Sequence, residues 1–216
     1  MPSWKKKTLI IAVAIPTVVA SYIVGAYLAR KGMDWIRRAP SISADAIGRS
    51  WSHQILGDTG IEFDSPWPLE TATLELPPEA AKTIAGATTL RHEGDGMSLF
   101  VRHSRLQPTV VANLDQVADG TVDGLRGVRG TVAVNITKEA ATVIGQPAVK
   151  LEGRIERERG GALEIRGLVF GQDRDLYLIE FICNADQSSA IAVWKKLSSS
   201  IRWGRPPNPR PEADRK

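Results

Sequence analysis

The 216-residue sequence has little of the side-chain chemistry on which common enzymes and metal sites depend. Its single cysteine and three histidines exclude an internal disulfide and a cysteine-rich zinc site. It has no Gly-x-Ser-x-Gly elbow, no phosphate-binding loop ending in Gly-Lys-Ser/Thr and no His-Glu-x-x-His pattern. We therefore predict that the protein is not an enzyme and that it has no catalytic residue, cofactor or metal ion.

The histidines closest in sequence, His92 and His103, are predicted not to share a metal ion. They lie on two expected strands, and pairing about the glycine-containing turn at 94–96 places His92 near Ser98, five residues from His103. Five residues along a strand span about 16 Å, too far for two ligands of one ion. We expect both histidines to be solvated, and Cys183, which has apolar neighbours at alternate positions, to lie in the core.

Negative charge exceeds positive charge in the middle of the chain. The formal net charge is +4, but residues 1–39 carry +6 and residues 204–216 carry +2, which leaves residues 40–203 at −4. A nucleic-acid-binding domain is expected to carry a basic patch of its own. We therefore exclude nucleic acid as a partner and attribute the basic flanks to membrane topology and anionic lipid headgroups.

One long apolar run dominates the N-terminal part of the chain. Residues 8–29 contain no charged side chain, while three lysines precede them and Arg30 and Lys31 follow. As a helix the run spans roughly 33 Å, enough to cross the hydrocarbon core of a bilayer. We predict a basic segment over residues 1–7 and a single transmembrane helix over residues 8–30, with the lipid bilayer as the first partner.

The topology of this segment has two interpretations. A cleaved export signal is the alternative, since Val24, Gly25 and Ala26 fit a small-residue cleavage site, although the run exceeds the usual apolar core. Both flanks carry similar numbers of Lys and Arg, so the positive-inside rule does not decide the orientation. A short Lys-rich N-terminus before a long domain favours an uncleaved anchor, with the N-terminus in the cytoplasm and the domain outside.

Small side chains recur every four residues in the predicted anchor. Ser21, Gly25 and Ala29 lie on one helix face, where they allow a second membrane helix to approach closely. This spacing predicts a transmembrane packing face for a homodimer or a membrane partner. The alternative is that small residues are simply common in membrane helices.

Three segments follow the anchor. Residues 31–59 are interpreted as a juxtamembrane connector with a short amphipathic helix, capped by Ser43 and bearing Ile47, Trp51 and Ile55. Residues 60–203 are interpreted as one folded domain. Residues 204–216 are proline-rich and charged, and they predict a disordered tail.

The first part of this domain alternates between strand and helix patterns. Residues 88–92 and 97–105 predict a hairpin around the turn that contains Gly94 and Gly96. Thr109 follows a proline and can cap a helix with an apolar stripe formed by Val110, Leu114, Val117, Val122 and Leu125.

A three-strand meander is predicted over 147–157, 162–171 and 175–183, with the third strand entered through a turn at 172–174. Side chains alternate between faces, and the odd positions are nearly all apolar and expected in the core: Val149, Leu151, Ile155, Leu163, Ile165, Val169, Tyr177, Ile179, Phe181 and Cys183. A helix capped by Asp186 is expected to pack Ala190, Ile191, Trp194 and Leu197 against this core.

On the other face, symmetric hairpins would place Arg154, Arg166 and Glu180 in one row across the three strands. We identify this row as a candidate interaction patch for a protein partner or a small ligand. The alternative is a purely structural pair between Arg166 and Glu180, because an unpaired buried carboxylate is costly.

Four motifs resemble the PsbP-like superfamily. They are GIEFDSPW at 60–67, GQPAVKLEG at 145–153, YLIEF at 177–181 and WKKLSSSI at 194–201. The resemblance covers about residues 60–203 and implies an α+β fold, an antiparallel sheet with helices packed on it. It also implies a family of mostly non-enzymatic binding or assembly factors, with no shared catalytic residues to carry over and with many members in bacterial envelopes.

Together these features predict a membrane-tethered, non-catalytic binding or assembly module for an envelope protein complex. The expected location is the bacterial inner membrane, with a protein partner in the membrane or envelope. The alternative is a small-ligand carrier or an enzyme that uses a pocket between sheet and helices.

Overall fold

The computed structural model describes residues 48, 50–72, 78–94, 96–159, 161–185 and 187–204. The predicted anchor with Ser21, Gly25 and Ala29 lies outside these residues, as do Ser43, Ile47, Asp186 and the tail from residue 205 onward. None of the helices in the described part of the chain has the length and hydrophobicity of a membrane span.

The described chain folds into ten strands and three helices. The strands are β1 (Ser52–Ile55), β2 (Ile61–Ser65), β3 (Glu70–Ala72), β4 (Ile84–Gly94), β5 (Met97–Leu106), β6 (Thr131–Val143), β7 (Gln146–Arg157), β8 (Leu163–Gln172), β9 (Asp175–Asn184) and β10 (Arg202–Trp203). The helices are α1 (Pro78–Ala81), α2 (Leu114–Arg126) and α3 (Ser188–Ser200).

A seven-stranded sheet in the order β3-β4-β5-β9-β8-β7-β6 forms the centre of the molecule, and every neighbouring pair in it is antiparallel. A smaller sheet in the order β1-β2-β10 is also antiparallel. The predicted α+β class with an antiparallel sheet and packed helices is therefore confirmed for the described residues.

The two long helices pack on opposite faces of the central sheet. The α2 face buries one cluster, in which Val117, Val122 and Leu125 of α2 join sheet residues that include Leu151, Ile165 and Leu178. The α3 face buries a second cluster, in which α3 and the small sheet contact the central sheet; this cluster includes Ala190, Trp194, Leu197, Ile61, Phe63, Leu168, Ile179 and Phe181. The central sheet is thus apolar on both faces over much of its area.

All ten odd-numbered residues predicted to lie in the core are buried. They do not share one face, however, because β8 and β9 are joined by a two-residue turn, Asp173 and Arg174, that pairs Gln172 with Asp175. Asp173 has a φ of 54°, as tight hairpin turns of this length require. The prediction of a three-residue turn at 172–174 is therefore wrong. As a result, every side chain of β9 lies on the opposite face of the sheet from the predicted one.

Both long helices differ in part from the predictions. Asn113 rather than Thr109 precedes α2, and its side chain accepts a hydrogen bond from the Gln116 backbone nitrogen at 3.2 Å. Val110 lies before the helix, in a small cluster with Leu106. In α3 the predicted core residues Ala190, Trp194 and Leu197 are buried, but Ile191 is 37% exposed and belongs to the outward side of the helix.

The amphipathic helix expected around Trp51 is wrong for residues 52–55, which form strand β1. β1 pairs with β2 at the edge of the small sheet, so its backbone groups that face β2 take part in sheet hydrogen bonds. The connection turns at Gly57 and Gly60, whose φ values of 54° and 76° favour glycine. Trp51 packs beside the α3-face cluster whereas Ile55 is 55% exposed, so these two residues do not form one apolar helix stripe.

Candidate functional site

The structure separates the three residues of the predicted patch. Arg166 of β8 lies opposite Phe181 of β9, whereas Glu180 lies opposite Gly167. Paired residues of antiparallel strands point to the same face, so Arg166 lies on the α3 face and Glu180 on the α2 face. The predicted pairing of Arg166 with Glu180 is therefore wrong, for the same reason as the shifted register of β9.

Arg154 and Arg166 instead belong to a network of charges on the α3 face of β6, β7 and β8. Lys150 Nζ lies 2.9 Å from Glu152 and 3.5 Å from Glu139. Arg166 contacts Glu152 at 2.8 Å and Glu164 at 3.5 Å, and Arg154 contacts Glu156 at 2.6 Å. We name this set the charged strip: Glu139, Lys150, Glu152, Arg154, Glu156, Glu164 and Arg166.

The charged strip is accessible to solvent. Its side chains range from 19% exposed at Arg166 to 62% exposed at Glu139, so no described element covers them as α3 covers the apolar part of this face. The hydrogen bond to Glu152 raises the pKa of Lys150, which keeps its ammonium group charged. The strip is therefore a set of positive and negative side chains that hold one another in place on a solvent-accessible sheet surface.

Glu180 finds a different partner in the interior. Arg102 of β5 donates from Nη1 to Glu180 Oε2 at 2.9 Å, and the two side chains are only 2% and 1% exposed. Burial raises the pKa of Glu180, and the Arg102 guanidinium opposes that shift. The same guanidinium lies 4.9 Å from the centre of the Phe100 ring. We call Arg102 and Glu180 the interior pair.

Polar atoms near the interior pair are not all satisfied by described groups. Glu180 Oε1 and Thr89 Oγ1 are buried and have no hydrogen-bond partner among the residues that the structure describes. Thr89 pairs with Arg102 across β4 and β5, so it lies beside the guanidinium on the α2 face. Ser98 and Ser104 on β5 are buried on this face as well. Sequence reasoning missed Arg102, whose signal was a cation within the apolar run of β5.

The two strand histidines contact aromatic rings instead of being solvated, so that expectation is wrong. The His92 ring stacks on Trp67 with centroids 5.0 Å apart and an interplanar angle of 8°. His103 Nε2 lies 2.7 Å from Asp175 Oδ1, and its ring lies 5.1 Å from that of Tyr177. His92 is paired with Leu99 and His103 with Thr88, one residue from the expected register. Among the described side chains there is no group of three or more that could hold a metal ion.

A further charged group lies on the small sheet. The His53 ring lies 3.3 Å from Asp64 and 3.4 Å from Glu62, and Arg202 of β10 contacts the same two carboxylates. Partial burial opposes the shift, yet the hydrogen bonds from Arg202 and His53 hold the pKa of Asp64 below its usual value. The group thus joins β1, β2 and β10, which is a structural role.

Comparison with solved structures returns proteins of similar fold at low sequence identity. PsbP (CyanoP) from Synechocystis is 16% identical with a TM-score of 0.49, and the match covers 70% of this chain and 91% of that one. LpqN from Mycobacterium tuberculosis, a protein involved in cell envelope biogenesis, is 13% identical with a TM-score of 0.41 over 76% and 98% of the two chains. PA94 from Pseudomonas aeruginosa, a protein of unknown function, is 16% identical with a TM-score of 0.36 over 67% and 91%.

The first of these structures is a PsbP, the family that the sequence motifs resemble. No family model matches the chain, and no curated protein matches it. At these identities the similarity concerns the fold alone.

Proposed function

We propose that this chain is a membrane-tethered, non-catalytic binding or assembly module that serves a protein complex of the cell envelope. The observation that supports this proposal is the charged strip, which occupies the open part of a sheet face whose remainder is packed. Its three cations and four carboxylates offer a partner a surface with both signs in fixed positions. We propose a protein as that partner.

The energetics of exposed ion pairs favour a binding role for the strip over a stabilising one. Exposed pairs contribute roughly 0–1 kcal/mol each to folding, so the domain gains little stability from them. Complementary charges at an interface, by contrast, select partners and fix their register. Because neighbouring strip residues already hold one another, a partner has to order few side chains on binding.

The tether is proposed from the apolar run at 8–30 and its basic flanks. In this proposal the helix spans the bacterial inner membrane, with the N-terminus in the cytoplasm and the domain outside. The net charge of −4 over residues 40–203 argues against nucleic acid as a partner. Homodimerisation through Ser21, Gly25 and Ala29 stays a prediction, and so does the absence of enzymatic activity.

Site-specific photocrosslinking in cells tests the strip. Asn135 is exposed on the same face and strand as Thr137 and Glu139, so a photoreactive residue there should crosslink a protein bound at the strip. Asp115, exposed on α2, is the matched control on the opposite side of the sheet. We expect a discrete crosslinked product at position 135 and none at position 115.

A pair of double variants then tests which side chains bind. Arg154→Ala with Arg166→Ala should abolish the crosslink, whereas Lys82→Ala with Arg159→Ala, an equal loss of charge at exposed positions elsewhere, should preserve it. Identical crosslinking from positions 135 and 115, or no effect of the strip variant, would contradict the proposal. The tether has its own test: alkaline carbonate washing should leave the full chain in the membrane pellet.

The interior pair favours a second candidate, a small-ligand carrier or an enzyme. Buried polar atoms normally have hydrogen-bond partners, but Glu180 Oε1 has none among the described residues. In this candidate function it accepts a hydrogen bond from a ligand bound between the sheet and the helices. Native mass spectrometry of the purified full chain should then reveal a retained small molecule that the Glu180→Leu variant loses. If wild type and the variant have the same mass after correction for the substitution, no ligand is bound at Glu180 and this candidate function is excluded.

A further inference from the structure

We infer that the outward side of α3 docks on an anionic lipid surface. This inference rests on the membrane tether proposed above, and it adds the orientation in which the tethered domain meets the bilayer. We name the docking surface the α3 outward side, which consists of Ile191, Ala192, Lys195, Lys196 and Ser199, together with the adjoining Trp51.

The composition of this surface is basic and partly apolar. All five helix residues are exposed, and they recur at spacings of three and four, so they form one stripe. α3 contains no acidic residue, and neither lysine is in a salt bridge with a described carboxylate. Ile191, which is 37% exposed, adds apolar area beside the two ammonium groups.

The path of the chain brings this surface towards the bilayer. The predicted anchor ends at residue 30, and Trp51 is packed beside the domain, with Lys196 Nζ 4.3 Å from the centre of its ring. Twenty residues of sequence separate residue 30 from Trp51. The segment that leaves the membrane therefore joins the domain next to the α3 outward side, and a short tether gives a weak surface contact a high effective concentration.

α2, on the opposite side of the sheet, has more acidic than basic side chains. It carries Asp115, Asp119 and Asp123 against Arg126, and Lys138 of β6 contacts Asp119 at 2.6 Å. An anionic leaflet attracts basic side chains near its surface and repels acidic ones. Both helices thus favour the same orientation of the domain, in which α3 faces the lipid and α2 faces away from it.

This orientation bears on the partner of the charged strip. The strip lies on the α3 face of the sheet, so a protein bound there is held on the membrane-proximal side of the domain. The partner class that fits is a protein embedded in, or attached to, the same membrane.

The test uses the full chain reconstituted into lipid nanodiscs. A fluorophore at Ser199→Cys reports on the α3 outward side, and one at Asp115→Cys reports on α2; the native Cys183 is only 2% exposed. Quenching by spin-labelled headgroups is compared in phosphatidylcholine discs with and without phosphatidylglycerol. We expect strong quenching at position 199 that requires phosphatidylglycerol, and little at position 115.

Variants identify the contacting groups. Replacing Lys195 and Lys196 by Gln should lower the ratio of docked to undocked domain about 25-fold, because each lysine near an anionic surface accounts for about fivefold. Replacing Lys82 and Arg159 by Gln removes the same charge elsewhere and should leave the quenching unchanged. Equal quenching at both labels, or quenching at position 199 that depends neither on phosphatidylglycerol nor on the lysines, would overturn the inference.

Failure of the tether itself gives a separate result. A chain without a membrane anchor would not co-purify with discs in high salt. A chain that stays in the discs and yet fails the quenching test is anchored but not oriented by α3.

Discussion

The charged strip and the interior pair place the same kinds of group on the two faces of one sheet. On the α3 face, Arg166 and Glu152 form a pair that is 19% and 30% exposed. On the α2 face, Arg102 and Glu180 form a pair that is almost fully buried. Water already solvates the first pair, so when one of its residues is removed water can solvate the charge that remains. Water does not reach the second pair, so removing one charge leaves the opposite charge buried.

The largest expected effect comes from breaking the interior pair. Glu180→Ala leaves the Arg102 guanidinium buried without its carboxylate, which should lower the free energy of unfolding by about 3–5 kcal/mol. Urea denaturation of the full chain in detergent measures this change. Glu152→Ala, which removes the same residue type from the strip, is the control and should cost less than about 1 kcal/mol. Similar losses for the two variants would mean that burial does not distinguish the two pairs.

Replacing the whole interior pair should have a smaller effect than breaking it. Arg102→Met combined with Glu180→Leu removes both charges and fills the space with apolar atoms. Buried pairs replaced in this way often leave stability unchanged or higher, so the double variant should recover most of what Glu180→Ala loses. A double variant as unstable as the single one would show that the pair has a packing role that Met and Leu cannot replace.

The two faces also show what the sequence could predict, namely which residues are buried, and what it could not, namely the face on which they lie. Alternation along 147–157, 162–171 and 175–183 predicted all ten buried odd positions, because period-two patterning follows from strand geometry. It could not assign faces, since one residue more or less in the turn before Asp175 exchanges them. Arg102 lies 78 residues from Glu180 in sequence, and only the strand order, which brings β5 beside β9, makes them partners.

The pH dependence of stability should separate the buried carboxylate from an exposed one. The folded-state pKa of Glu180 is raised above its ordinary value of 4.5, so the folded protein binds this proton more tightly than the unfolded chain. The resulting stability is complete below about pH 4.5 and is lost as the pH rises through the folded-state pKa. The difference in unfolding free energy between wild type and Glu180→Gln should therefore decline as the pH rises above 4.5.

Asp64 in the small sheet should behave in the opposite sense. Its folded-state pKa lies below the ordinary 3.8, so its contribution is present above that pH and is lost as the pH falls through the folded-state value. The difference between wild type and Asp64→Asn should grow from acid towards neutral pH. Two curves with the same slope would contradict the assignment of a buried carboxylate to one site and a hydrogen-bonded surface carboxylate to the other.

The smallest expected effect on stability belongs to the strip, and there the absence of a large change is informative. Arg166→Ala removes contacts at 2.8 and 3.5 Å to two partly exposed carboxylates, Glu152 and Glu164, which water can solvate instead. We expect a loss of less than about 1 kcal/mol in urea denaturation, and a further decrease of the effect at high salt. The same substitution, combined with Arg154→Ala, is expected to abolish the crosslink from position 135. A binding defect in a domain of nearly normal stability would assign the strip to recognition, whereas a loss of several kcal/mol would make it part of the folded core and remove the main support for the proposed function.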